Sequence, residues 1–318
     1  MARFDFGGEV VMRVFVTGGT GAVGTRAVPA MVAAGHDVTA MARSSEKARA
    51  LADQGARPMM VSLFDRPGLT AAIAGHDAVV NLATALPSTA SFIRQSAWRE
   101  CERVRTEGSA TVVRACLDAD VPQLIQESVA MLYRDGGSEW IDEDHPVDHY
   151  PITRGNHAAE ANAARFAADG GRSVVLRFGL FYGIGAAHSE QIVALARRHI
   201  GFVPGPRGSF MSSIHVADAG DAVAAALACP GGTYNVVDDE PLTKDQHAQA
   251  CADATGAAAW IKGPGRLGLL LGDRLTSMTR SIRASNARFR DAANWQPRYP
   301  SVREGYQQMA RDLLADPH

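Results

Sequence analysis

Three things are scarce in this chain of 318 residues, and each scarcity removes a class of function. Cysteine occurs four times, at Cys101, Cys116, Cys229 and Cys251, with no CxxC pair and no histidine at ligand spacing. That excludes a disulfide frame and a zinc site, leaves no metal to expect, and reads as the reduced thiols of a cytoplasmic protein. Net charge is nearly absent at −2, so no nucleic acid or acidic membrane surface is expected as a partner. Long apolar runs are missing too: the most apolar late stretch, Gly263 to Leu271, is short and broken by Arg266. The N-terminus lacks the basic-then-apolar order of a signal peptide. Residues 1–11 show no periodicity and are expected to be a loose extension, with Met12 a plausible alternative start.

Glycine, by contrast, is placed with purpose. Arg13 to Thr17 is an apolar, β-branched run that reads as a buried strand, and Gly18, Gly21 and Gly24 follow at once before a helix-like segment. A strand, a tight turn and a helix start gather backbone N–H groups at the positive end of a helix dipole, which suits a pyrophosphate. Gly18 permits the turn, Gly21 lets the backbone approach the phosphates, and Gly24 lets the helix lie against the strand. The candidate phosphate loop is therefore Gly18, Thr20, Gly21, Ala22, Val23 and Gly24.

Beyond the loop, strands and helices alternate. Strands are expected at 37–41, 57–63, 78–83, 123–126 and 173–177, and helices at 46–54, 69–74, 92–118 and 157–168. This order predicts an α/β fold, a doubly wound parallel sheet of the Rossmann kind with helices on both faces and ligands at the carboxyl ends of its strands. The end of the second strand bears on which dinucleotide fits. There Arg43 and Ser44 stand with Lys47 nearby and no acid, chemistry for a 2′-phosphate and hence for NADP (as NADPH) over NAD. A solvated arginine at a helix start is the plainer alternative. Asp65, after the third strand, could accept from an adenine amino group or simply cap the next turn.

With these residues in view, the chain resembles the extended short-chain dehydrogenase/reductase family, relatives of sugar-nucleotide epimerases and dehydratases. The segment from Thr17 to Gly24 is similar to its TGxxGxxG loop. Asn81-Leu82-Ala83-Thr84 resembles the segment beneath the adenosine ribose, which implies Leu82, Ala83 and Thr84 as cofactor contacts. Leu176 to Gly183 resembles the strand end beside the nicotinamide, which implies Phe178 there. Ser213-Ile214-His215-Val216 and Asn294-Trp295-Gln296-Pro297 match further family segments in order. The resemblance implies a nucleotide-binding domain at 12–182 plus 213–238 and a smaller substrate domain at 183–212 plus 239–318. It also implies a small-molecule substrate and, by analogy alone, a homodimer. Thr243 to Gln246 and Ser301 to Glu304 read as capping boxes opening helices in that second domain.

The family's chemistry uses a tyrosine as proton donor, a lysine four residues on that lowers its pKa and holds the ribose, and a serine or threonine on the substrate oxygen. Here Ala158-Ala159-Glu160 fixes the register, so Ile152 stands at the tyrosine position and Asn156 at the lysine position, beside the cofactor. Isoleucine transfers no proton and asparagine carries no charge. Val129 falls on the hydroxyl position, with Ser128 one residue away, and Arg105 stands where the family often has asparagine. Three readings follow. The protein moves hydride with another acid, Tyr150 first, then Tyr133, Tyr182 and His157. Or it catalyses a non-redox isomerisation, dehydration or cyclisation, with Ser128, Thr84, His188 and His215 as polar contributors. Or it senses NADP without turnover. The first is the expected function, on a small carbonyl-bearing metabolite, with Tyr150, Ser128 and His157 as candidate catalytic residues.

Overall fold

The computed structural model describes residues 3–4 and 10–315. Seven strands form the central sheet: β1 (Arg13–Thr17), β2 (Asp37–Ala42), β3 (Arg57–Met60), β4 (Ala78–Asn81), β5 (Gln123–Val129), β6 (Arg172–Phe178) and β7 (Gly232–Val236). Their order is β7-β6-β5-β4-β1-β2-β3, and every pairing is parallel. The order reverses at β1 and β4, so the crevice above these strand ends is the place for a ligand in such a sheet. This is the expected doubly wound α/β architecture.

Side chains alternate along each strand, and the two faces build two cores. Val14 and Val16 of β1 pack with α1 (Gly24–Ala33), with Ala219 and Val223 of the helix Val216–Ala225, and with Phe289 and Trp295. Phe15 points the other way, among Leu69, Ile73, Val112 and Phe166. A separate core of Tyr182, Ile192, Val193, Leu242, Cys251, Val302, Tyr306 and Met309 holds together the helices Ala187–Ala196, Lys244–Thr255 and Val302–Ala315.

Several expected boundaries move, for local reasons. β3 ends at Met60 because Asp65 N–H turns back to Ser62 C=O, 3.1 Å, and the carboxylate of Asp65 caps the helix Arg66–Ile73 by accepting from Gly68 N–H. The single helix expected over 92–118 is broken. Helical turns at Thr89–Ser91 and Gln95–Trp98 lead to Arg99–Arg103, a π turn at Val104–Gly108, and the helix Ser109–Asp118. Around the π turn, the hydroxyls of Thr106, Ser109 and Thr111 each donate to the carbonyl four residues back, competing with the ordinary ladder. Most of the expected extension 1–11 lies outside the described residues, which show only Arg3–Phe4 paired antiparallel with Val10–Val11.

Candidate cofactor and active site

The opening loop has the shape a pyrophosphate needs. Gly18 has φ +73°, and a Cβ there would lie 2.5 Å from the Leu82 carbonyl. At Gly24 it would lie 2.2 Å from Gly18 O, so neither position tolerates a side chain. The loop closes on itself through Gly21 N–H to Gly18 O and Thr25 N–H to Gly21 O, both 2.9 Å. The first-turn N–H groups of Thr25, Arg26 and Ala27 are taken by Gly21 O and Val23 O, so the donors left at the positive end of α1 are those of the loop before it. These features fit a dinucleotide's phosphates.

At the end of β2 the groups converge as the chemistry of a phosphate requires. Arg43 is exposed, Ser44 caps the helix Ser45–Asp53, and Lys47 reaches back across the loop to donate to Thr20 Oγ1, 3.4 Å. Lys47 thus joins the β2 end to the glycine loop. Below them Asn81 Oδ1 accepts from Thr17 Oγ1 and its amide donates to Gln126 Oε1, which locks β1, β4 and β5 at their carboxyl ends. Leu82 is buried and Ala83 half-buried; Thr84 is exposed, its hydroxyl 3.5 Å from Cys101 Sγ.

The catalytic end is arranged differently. Every proton-bearing side chain expected there is bonded into the protein. Tyr150 is buried, with its O–H donating to Met131 C=O at 2.7 Å and its ring beneath the Arg280 guanidinium. Burial also holds its phenol well above the usual range. Ser128 donates to Glu160 Oε1, 2.6 Å, and Glu160 is gripped by both arms of Arg177. His157 Nε2 lies 3.0 Å from Asp148 C=O, its ring stacked on His149, and burial lowers its pKa. Tyr133 donates to Asn235 Oδ1, Tyr182 to Ser301 C=O, and His188 contacts Phe181 C=O. His215 accepts from Ala217 N–H, and burial pulls its pKa down to about 4. The hydroxyls of Tyr150 and Ser128 and Nε2 of His157 are thus each engaged within the protein.

Phe178 turns its side chain inward. Period-two alternation sends Val174, Leu176 and Phe178 of β6 into the core beside α1, and Phe178 is 0% exposed. The residues after it, Gly179 and Leu180, line the cleft instead.

A buried charge cluster went unseen in the sequence. Arg105, inside the π turn, donates to Glu127 Oε1 at 2.7 Å and to Asn156 Oδ1 at 3.1 Å, and all three are buried. Burial pushes the Glu127 carboxyl up, while the charge of Arg105 pulls it down. Glu127 Oε2 and Asn156 Nδ2 have no hydrogen-bond partner. A cation thus exists near position 156, but it comes from the facing helix and is already neutralised by Glu127. The only early signal was Arg105 in an asparagine's place.

Next to these strand ends lies a cavity of about 20 Å³, lined by Met131, Gly179, Leu180, Lys244, Ser277 and Arg280, among others. The short helix Thr276–Thr279 covers it. Among the described residues no cluster of three metal-ligating side chains occurs, and no helix is long and apolar enough to cross a membrane.

Comparison with known proteins agrees with this geometry. Residues 18–179 match a family model described as NAD(P)H-binding. The chain is 33% identical over 308 residues to a 3-diazoavenalumate denitrifying reductase of a Streptomyces species, covering 92% of this chain and 99% of that protein. It is 30% identical over 240 residues to a 4-hydroxy-2-methyl-3-oxo-4-farnesyl-3,4-dihydroquinoline-1-oxide ketoreductase of Stigmatella aurantiaca, covering 73% of this chain and 70% of that one. The fold superposes on the human epimerase family protein SDR39U1 crystallised with NADPH, with a TM-score of 0.80, 24% identity, and coverage of 95% and 100%. The chain belongs to the NAD(P)-binding extended short-chain dehydrogenase/reductase family, among its epimerase- and dehydratase-like members.

Proposed function

We propose that the protein is an NADPH-dependent reductase whose substrate is a small, positively charged hydride acceptor of the aryl diazonium type. When bound, NADPH supplies the hydride. The loop from Gly18 to Gly24 holds the pyrophosphate, and Arg43, Ser44 and Lys47 hold the 2′-phosphate as a charge-assisted cluster, with Glu46 the one carboxylate in the same helix turn. Leu82, Ala83 and Thr84 lie under the adenosine end, where Asp65 is already occupied as a helix cap. Asn156 Nδ2, Glu127 Oε2 and Arg105 Nε, each buried without a partner, are polar atoms available to a ribose hydroxyl or a bridging water. The segments 183–212 and 239–318 form the substrate side, supported by their shared core, although Phe289 and Trp295 pack on the nucleotide side.

One observation carries the choice of substrate: among the described residues the hydroxyls of Tyr150 and Ser128 and Nε2 of His157 are all engaged within the protein, so none of the three expected acids is free to protonate an alkoxide. A ketone that accepts a hydride becomes an alkoxide and must be protonated in a closed site. An arenediazonium that accepts a hydride becomes the arene and N₂, with atoms and charge balanced and no proton consumed. Ile152 and Asn156 are then no handicap, and Arg105, neutralised by Glu127, does not repel a cationic substrate. The similarity to a reductase of a diazo compound supports the same choice. Carbonyl reduction is the second reading, supported by the ketoreductase relative, and its proton would have to come from solvent.

The test mixes the protein with NADPH and, in separate arms, a 4-substituted benzenediazonium salt and a panel of aldehydes and ketones, with protein-free controls. Expected is protein-dependent loss of nicotinamide absorbance with the diazonium alone, and deuterium from 4-deuterated NADPH in the arene. Oxidation with carbonyls alone would select the second reading. No oxidation in any arm, with NADPH bound, would leave an NADPH-sensing role.

A further inference from the structure

Lys244 breaks a local rule. It is the first residue of the helix Lys244–Thr255, where the dipole disfavours a cation, and it is 1% exposed, where an ammonium is costly to bury. Its pKa is pulled down to about 8 by burial. Such violations gather at functional positions. The ammonium has three N–H donors, yet its hydrogen bond is a single one, to Arg280 C=O at 2.9 Å. Facing the same cavity is Ser277, 7% exposed, whose Oγ has no partner at all. Met131, Gly179 and Leu180, which follow β5 and β6, line another part of the wall, and Arg280, already paired with Asp148, lines it too. Nearby charges do not neutralise the ammonium directly: Asp148 is held by Arg280, and Asp135 accepts from Ser281 N–H.

We propose that Lys244 and Ser277 form the anchor for a carboxylate on the substrate, one oxygen taking the ammonium and the other the serine hydroxyl. The inference deepens the proposed function, and rests on reading the cleft beside Gly179 and Leu180 as the substrate site. At about 20 Å³ the cavity is the size of roughly one water, so a carboxylate enters only if the short helix Thr276–Thr279 gives way to admit it. Phosphate brings a second charge to a site with one ammonium not already paired to a carboxylate. The substrate class is accordingly a small aryl or arylacrylic acid carrying its reactive group at the far end from the carboxylate.

The experiment is titration calorimetry on the full chain, with and without NADP⁺, using sodium benzoate and sodium cinnamate, their amides, and inorganic phosphate. Expected is binding of at least one carboxylate roughly tenfold or more tighter than its amide, the size of one charge-assisted hydrogen bond. Lys244→Met should erase that carboxylate-over-amide ratio, and Ser277→Ala should cut it about threefold to tenfold with the fold intact. If Lys244→Met does not fold, Ser277→Ala together with the ratio itself decides. Equal binding of acid and amide, tighter binding of phosphate, or no binding of either carboxylate would overturn the proposal. So would an unchanged ratio in a folded Lys244→Met. NADPH binding is measured separately, so a protein that binds and oxidises NADPH yet ignores the carboxylate sinks this inference alone.

Discussion

The two ends of the crevice solve opposite problems. At the glycine-loop end, the side chains of Arg43, Ser44 and Lys47 are exposed or half-buried; Ser44 caps its helix and Lys47 donates to Thr20, bonds made near the surface, where they are cheap to exchange. At the catalytic end, nearly every polar group is spent. Ser128, Glu160, Arg177, Tyr133 and Asn235 form one chain of hydrogen bonds through β5, β6, β7 and the helix Arg154–Ala168, and Arg105, Glu127 and Asn156 form another. The difference teaches that, in one sheet, some strand ends can be left open to solvent while others are braced by internal hydrogen bonds. Low-dielectric networks of this kind are rigid when complete and costly when opened.

The largest expected effect tests the bracing. Glu127→Ala leaves the Arg105 guanidinium buried without its counter-charge, and should lower unfolding free energy by roughly 3–5 kcal/mol in urea titrations. A loss below about 1 kcal/mol would mean that the pair is solvated and the catalytic end open. Next comes the adenosine end. Arg43→Asp should weaken NADPH by roughly tenfold to a hundredfold and NADH by less than about threefold, as read by calorimetry. Equal losses would remove Arg43 from the 2′-phosphate and erase the contrast. The third concerns the substrate side. Lys244 loses its charge as pH rises through about 8, so benzoate affinity should fall by up to about tenfold per unit above that pH. Lysine is the cationic form below its pKa, so the affinity is complete on the acid side and lost on the alkaline side. The smallest effect is Tyr150→Phe, expected to change turnover by less than about threefold and stability by about 1 kcal/mol, since only the bond to Met131 C=O is removed. A hundredfold loss of turnover would restore Tyr150 as an acid.

The strand–turn–helix unit that opens the fold was legible in the sequence because its signals are local. Strand, glycine turn and helix lie within residues 13–33, and Arg43 with Ser44 follows one strand later. The same holds for the capping box at Thr243, whose side chain accepts from Gln246 N–H as the spacing implied. The catalytic half was legible only as an absence, Ile152 and Asn156. What replaced it joins residues distant in sequence: Arg105 meets Glu127 and Asn156, and Arg177 meets Glu160 and Tyr133. No periodicity reports such pairs. Phe178 could have been placed correctly, since strand alternation alone sends it to the core with Val174 and Leu176. The helix expected over 92–118 failed because threonine and serine hydroxyls around Arg105 bend the ladder, and their competition with backbone bonds is context-dependent. Lys244 was hidden by its own capping box, where it reads as an ordinary surface position.

The π turn at Val104–Gly108 has one consequence for anyone wishing to rebuild conventional ketone chemistry on this scaffold. It aims Arg105 at the amide of Asn156, so Asn156→Lys by itself would crowd two cations around the lone carboxylate of Glu127. Restoring the two familiar residues at 152 and 156 is therefore not a two-site edit. The guanidinium would have to be withdrawn in the same move, and the local winding that delivers it relaxed to an ordinary α-turn.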